Sequence, residues 1–223
     1  DELREARNPA SVRSLRTKLP SVERTKNAKA PAEERAFASL DYRDIPIFME
    51  ALRGQDGMGA RALELCVLNG NRTSEVLAAK WNEFDLEEGI WSIPANRIKG
   101  RIRHNIPLSK QSVALLRQQS HFRMSDLVFP NTSSGKSMSG AGMDSVLKRM
   151  FKKKEWRDKF GKLITVHGFR GTFKTWTTEK TDTDWLTGEM AMAHAIKDKS
   201  AATYQKGDLI DKRRRLMQKY SDY

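Results

Sequence analysis

The sequence predicts an α+β fold, mainly helical with one small three-stranded antiparallel sheet, on three observations. Apolar residues recur at helical spacing through most of the chain. One stretch, from Trp81 to Leu108, instead alternates like strands broken by turns. A helix from Gly57 to Asn69 is apolar nearly all round, at Ala62, Leu63, Leu65, Cys66, Val67 and Leu68, and such a helix must be central.

Taken in order, residues 1–35 mix Pro9, Pro20 and Pro31 with Arg, Lys, Ser and Glu without apolar periodicity, the composition of a linker or the end of a preceding domain. The sequence starts at Asp1 without Met, so upstream domains are expected. The main domain is expected over 36–205, with a short tail over 206–223. Asp44 before Ile45-Pro46 reads as an N-cap with proline just inside a helix that carries Ile47, Phe48 and Leu52 onto a core face. Glu87-Glu88-Gly89 makes a turn into Ile90–Ile93, and a second turn at Lys99-Gly100 leads into Arg103–Leu108. Helical spacing returns at Met143, Val146, Leu147, Met150 and Phe151, then at Phe169, Phe173 and Trp176, and at Leu186, Met190 and Ala193. A last helix is expected over Lys206–Tyr220, with Leu209, Ile210, Leu216 and Met217 on one side and Lys212-Arg213-Arg214-Arg215 on the other.

The 223 residues carry 41 Lys+Arg against 28 Asp+Glu, a net +13, which points to a nucleic-acid partner. At 38% hydrophobic and 31% charged residues the chain is not disordered. No apolar run approaches the roughly 18 residues of a membrane span, and no leader-like stretch opens the sequence, so a cytoplasmic protein without membrane contact is expected. Cys66 is the only cysteine and lies in an apolar run, which leaves no disulfide framework and no cysteine-based zinc site.

Two suggestive motifs fail. Ser133-Ser134-Gly135-Lys136-Ser137 imitates the end of a phosphate-binding loop, but Pro130 stands where its first glycine is required, and proline has no N–H to offer a phosphate. Asp182, Asp184 and Glu189 lack calcium-loop spacing, and the first two are explained as acids at a helix start.

Five segments carry more. Asn69-Gly70-Asn71-Arg72-Thr73-Ser74-Glu75 is a turn between two helices that holds an arginine. Arg97-Ile98-Lys99-Gly100 puts a lysine on a hairpin tip. Val166-His167-Gly168-Phe169-Arg170 opens a helix with His167 and Arg170 three apart, and Met192-Ala193-His194 and Ala202-Thr203-Tyr204-Gln205 follow. In this order and spacing the chain resembles the catalytic domain of tyrosine recombinases, the phage-integrase family, closest to the integrases of P4-like prophages and genomic islands. The resemblance spans about Leu40 to Tyr220. It implies the tyrosine recombinase catalytic-domain fold, with Arg72 as first catalytic arginine, Glu75 as its supporting acid, Lys99 as hairpin lysine, His167 and Arg170 as the H-x-x-R pair, His194 as second histidine and Tyr204 as nucleophile. Asn69-Gly70-Asn71 departs from the family's usual Thr- or Ala-containing lead-in.

The implied reaction needs such residues. A tyrosine of pKa about 10 is ionised in roughly one molecule per thousand at pH 7, so its deprotonation costs about 4 kcal/mol without a base. His167 is the expected base. Arg72, Arg170 and His194 form the expected clamp on the charge that develops at phosphorus, and Lys99 the expected proton donor to the departing 5′-oxygen. Lys110, Arg101 and Arg103 are alternative cations for the last role, and Tyr220 and Tyr223 alternative nucleophiles. A 3′-phosphotyrosyl link conserves bond energy, so no cofactor, neither ATP nor metal, is expected. Lys148, Arg149, Lys152, Lys153 and Lys154 are expected on backbone phosphates. The resemblance also implies double-stranded DNA attachment sites as partners, a tetramer on two sites, and docking of the 206–223 tail on a neighbouring protomer. Relaxation of the type IB topoisomerase kind and non-catalytic DNA binding are the competing functions.

Overall fold

Pro46, in the first turn of α1 (Ile45–Arg53), pre-sets the helical φ where no N–H is needed, and Gly54 ends the helix. Its core stripe is Ile45, Phe48, Met49 and Leu52, and Ile47, expected on that face, falls outside the stripe and is exposed. The computed structural model describes residues 36–98, 102–194 and 207–223. The expected 1–35 linker, Lys99 and Tyr204 lie outside the described residues. Every element below belongs to the unit Ala38–Tyr223.

The centre is α2 (Met58–Asn69), in which Ala60 and every residue from Ala62 to Asn69 is buried. It packs against α1, the short α3 (Thr73–Leu77), α4 (Lys110–Ser120), α5 (Ala141–Phe151) and α6 (Gly168–Lys180), as an all-round apolar helix must. It stops at Gly70, whose φ of 59° is left-handed. A Cβ there would also lie 3.2 Å from the Phe173 ring, so glycine lets the turn between α2 and α3 lie flat on α6.

The sheet is antiparallel in the order β1 (Phe84–Asp85), β2 (Ile90–Ile93), β3 (His104–Pro107), with Trp91 opposite Ile106 and Ile93 opposite His104. Trp91, Ile93 and Ile106 are buried on the core side and Trp91 stacks on Phe84. The third strand is two residues shorter than the expected Arg103–Leu108. Helix α4 does not show in the apolar pattern because its inner face carries Ser112 and Gln119 beside Leu115 and Leu116. Ser112 is satisfied there by Asn69 Oδ1 at 3.0 Å.

The chain closes with α7 (Trp185–Ala191), capped by Asp184 on the Thr187 N–H at 2.8 Å, and α8 (Ile210–Asp222). Ala193, expected on the helical face of Leu186 and Met190, lies beyond the end of α7. Helix α8 covers its own chain: Leu216, Met217 and Tyr220 close a second apolar cluster over Phe173 and Trp176.

The expected polar side of this helix needs correction. Lys212 and Arg215 are exposed, but Arg213 is completely buried. It donates to the Asp208 carbonyl at 2.8 Å and the Asn105 carbonyl at 2.6 Å and pairs with the Asp208 carboxylate, and Asn105 Nδ2 returns to Asp208 at 3.1 Å. Four consecutive cations do not make one face, since they sweep right round a helix of 3.6 residues per turn. Among the described residues the helix starts at Ile210, with Leu209, at a φ of 48°, just ahead of it. Arg213→Ala is expected to lower the unfolding free energy by about 3 kcal/mol, because it strands two carbonyls and an acid in or beside the core. Urea denaturation measures it, and a loss below about 1 kcal/mol would contradict that account.

Candidate active site

The first arginine owes its place to the end of α2. The α3 start puts Arg72 at the N-cap position, where its N–H donates to Glu75 Oε2 at 2.9 Å and its Nη1 to Glu75 Oε1 at 2.7 Å. Burial pushes the Glu75 carboxyl up, but these bonds outweigh it and hold its pKa below the ordinary value, so Glu75 is an anion fixed to Arg72. Asn71, buried beside it, donates to Glu75 at 3.3 Å, which gives the unusual lead-in a structural use.

Arg170 sits in the first turn of α6 and is only 6% exposed. Its Nη1 donates to the Gly70 carbonyl at 2.6 Å and its Nη2 to the Met192 carbonyl at 2.8 Å. Burial, then the charge of Arg72, pull its pKa to about 10, which leaves it a cation at pH 7. Arg72 Nη2 in turn donates to the Ala193 carbonyl at 3.2 Å. The two arginines thus strap the turn after α7, in which Ala193 holds a left-handed φ of 51°. His194 follows directly. Its ring Nδ1 lies 3.0 Å from Glu189 Oε2, and its backbone N–H donates to the Glu189 carbonyl at 3.0 Å.

His167 is exposed and immediately precedes α6. Partial desolvation of its ring, then the charges of Arg170, Arg72 and His194, keep its pKa below the usual histidine value, so it is neutral at pH 7 and able to take a proton. Arg72, His167, Arg170 and His194 therefore gather in one place from three segments far apart in sequence. With both nearby carboxylates bonded within the cluster, what its two arginines offer outward is donors and positive charge, the requirement for binding an oxyanion.

Lys99 and Tyr204 fall outside the described residues, yet the chain is held on the described side of each. Arg97, two before Lys99, donates to the Glu75 carbonyl at 2.7 Å and pairs with Glu83. Asp208, four after Tyr204, is held by Arg213 to β3. Arg97 and Glu189 were not legible as site residues. Neither was His104 on β3, whose pKa is pulled to about 4 by burial, then by Arg213, with Glu75, Asp208 and Arg72 also acting on it. Lys148 and Arg149 end α5 with side chains in solvent, and Lys152, Lys153 and Lys154 follow, also exposed. Arg149 reaches the Asp56 carbonyl at 3.3 Å, and Lys154 lies 4.1 Å above the Trp156 ring, so two of the five have partners.

Residues 39–206 match the sequence profile of the phage integrase family. The chain belongs to that family. Among its relatives it is 31% identical over 189 residues to the prophage integrase IntZ of Escherichia coli K12, covering 83% of this chain and 44% of the relative. It is 28% identical over 220 residues to the integrase of Enterobacteria phage P4, covering 88% and 47%. The integrase-family chain spans about half the length of these relatives. Among solved structures it resembles the XerH site-specific recombinase bound to difH, at TM-score 0.57 and 22% identity over 71% of this chain and 47% of that one. It also resembles the lambda integrase catalytic core, at TM-score 0.54 and 16% identity over 70% and 95%. The fold is that of the tyrosine recombinase catalytic domain. Among the described residues of this integrase-family chain no helix is long and apolar enough to cross a membrane.

Proposed function

We propose that this chain is the catalytic part of a site-specific DNA recombinase that integrates or excises a prophage or genomic island, with 36–205 as its catalytic domain. The observation that carries the reading is the strap: Arg72 and Arg170 hold the Met192–His194 turn, so three candidate phosphate ligands share one rigid unit. The partners are double-stranded attachment sites, two of them joined by a tetramer in the bacterial cytoplasm at the nucleoid, with Lys148, Arg149 and Lys152–Lys154 on backbone phosphates.

In the reaction the Tyr204 hydroxyl attacks the scissile phosphorus and gives its proton to His167. Arg72, Arg170 and His194 bind the non-bridging oxygens as their charge rises, and Glu75 keeps Arg72 aimed. The bond from phosphorus to the 5′-oxygen breaks, and that oxygen takes a proton from Lys99. A 3′-phosphotyrosyl link and a free 5′-hydroxyl result, and reversal with another 5′-hydroxyl joins new strands. The test is a suicide substrate nicked beside the cleavage point, from which the short leaving strand diffuses away. The adduct should map to the peptide containing Tyr204, and an adduct on another residue would overturn the assignment.

Lys99 has its own test. Replacing the bridging 5′-oxygen by sulfur gives a leaving group that needs no proton, so Lys99→Ala should lose cleavage on the normal strand and recover it on the thio strand. Arg72→Ala should recover nothing. Failure of the Lys99 rescue would hand the acid role to another cation such as Lys110.

A further inference from the structure

Glu189 lies on α7 and makes two strong contacts at once. Oε1 accepts from Lys174 Nζ on α6 at 2.8 Å, and Oε2 lies 3.0 Å from His194 Nδ1. The same residue's carbonyl accepts the His194 N–H at 3.0 Å, so backbone and ring of the histidine are held by one residue across the end of α7. The Met192 and Ala193 carbonyls are tied down by Arg170 and Arg72. A histidine fixed through Nδ1 to a carboxylate carries its proton on that nitrogen, which leaves Nε2 to meet a ligand. A neutral ring of this tautomer has only a lone pair at Nε2 and cannot donate to a phosphate oxygen. Only the imidazolium, with both nitrogens protonated, can do so.

We propose that Glu189 is the positioning residue of His194, orienting the ring and making it a cationic Nε2–H donor when a phosphodiester occupies the site. This rests on the reading of His194 as a phosphate ligand. Substrate binding is then coupled to uptake of one proton at His194. The groups facing that ring are Glu189 from α7, Arg170 and Lys174 from α6, and the neighbouring His167. In the free protein burial pulls the His194 pKa down, the Glu189 bond pulls it up, and Arg170 and Lys174 oppose the proton, with a net value below the usual one. The ring is therefore neutral at pH 7 until an anion arrives. A phosphodiester adds the negative charge that tips the balance, provided the carboxylate is already in place. The histidine then changes from a poor ligand of the ground state to a charged donor matched to the more negative transition state.

The test separates charge from shape, since Glu189→Gln keeps the size of the side chain and can still accept from Nδ1–H. Histidine-selective NMR titration of this chain, with His194 assigned by the His194→Gln variant, should show a midpoint about one pH unit lower in Glu189→Gln. A short DNA duplex at low salt should raise the wild-type midpoint above 7 and the variant's by less. In single-turnover adduct formation on the nicked substrate, the alkaline limb should move down by about one unit. The variant then loses about tenfold at high pH and less than about threefold near pH 6.5. An unmoved midpoint, or an equal loss at every pH, overturns the proposal, the second outcome reducing Glu189 to packing. If His194→Gln cleaves like the wild type, the reading of His194 as a ligand has failed, while the NMR titration still reports on the pair with Glu189.

Discussion

Tyr204→Phe is expected to bind attachment-site DNA within a few-fold of the parent and to form no covalent complex, since only the oxygen proposed to attack is lost. The loss should be total. The chain has four tyrosines, and the other three lie in one aromatic group: Tyr42 and Tyr223 have ring centroids 6.3 Å apart, and Tyr223 and Tyr220 both pack on Trp176. The Tyr220 hydroxyl is buried without a hydrogen-bond partner among the described residues, and burial pushes its pKa far up, the opposite of what a nucleophile needs. Of the two alternative nucleophiles, Tyr220 is thus built into the packing of α8, and Tyr223, just beyond that helix, rests its ring near Trp176 while staying exposed. The measurement is denaturing-gel detection of the adduct on the nicked substrate beside a gel shift under the same salt. Covalent complex from the variant would move the nucleophile to Tyr42, Tyr220 or Tyr223 and sink the assignment of Tyr204.

What the sequence made legible follows from what each signal needs. Helices α1, α2, α5 and α6 bury apolar residues on a continuous face, so period alone finds them. Helix α4 buries Ser112 and Gln119, and a polar inner face has no period to read. Arg72, His167, Arg170 and His194 stand out because their types and spacing suit one reaction, and the fold brings them together through backbone carbonyls. Those carbonyls leave no trace in the sequence. Glu189 is not legible as the partner of His194 because it stands five residues before it, a separation at which no helix makes neighbours; the turn at Ala193 creates the contact. Arg213 misled for the converse reason: inside a run of four cations nothing marks the one whose partners, the Asp208 and Asn105 carbonyls, are supplied by packing.

Arg170→Lys should reduce the rate of adduct formation by at least about a hundredfold while DNA affinity changes only a few-fold. A guanidinium has five N–H donors in a plane, and Arg170 uses one from each terminal nitrogen to join the Gly70 and Met192 carbonyls. Three donors remain for a phosphate oxygen while the strap is kept. A lysine ammonium has three donors around one atom and cannot span both carbonyls and a ligand. The substitution therefore removes a phosphate contact or releases the turn carrying His194. Either loss should fall on the transition state more than on the bound DNA, because on the proposed reading duplex affinity comes from many backbone contacts away from Arg170. A modest fall in melting temperature should accompany it, since one buried carbonyl is left unpaired at a cost of about 1–3 kcal/mol. Single-turnover cleavage at saturating protein, at a temperature where the variant is folded, separates the two effects. Cleavage by folded Arg170→Lys within about threefold of the parent would mean that Arg170 is a strut for the turn and not part of the phosphate clamp.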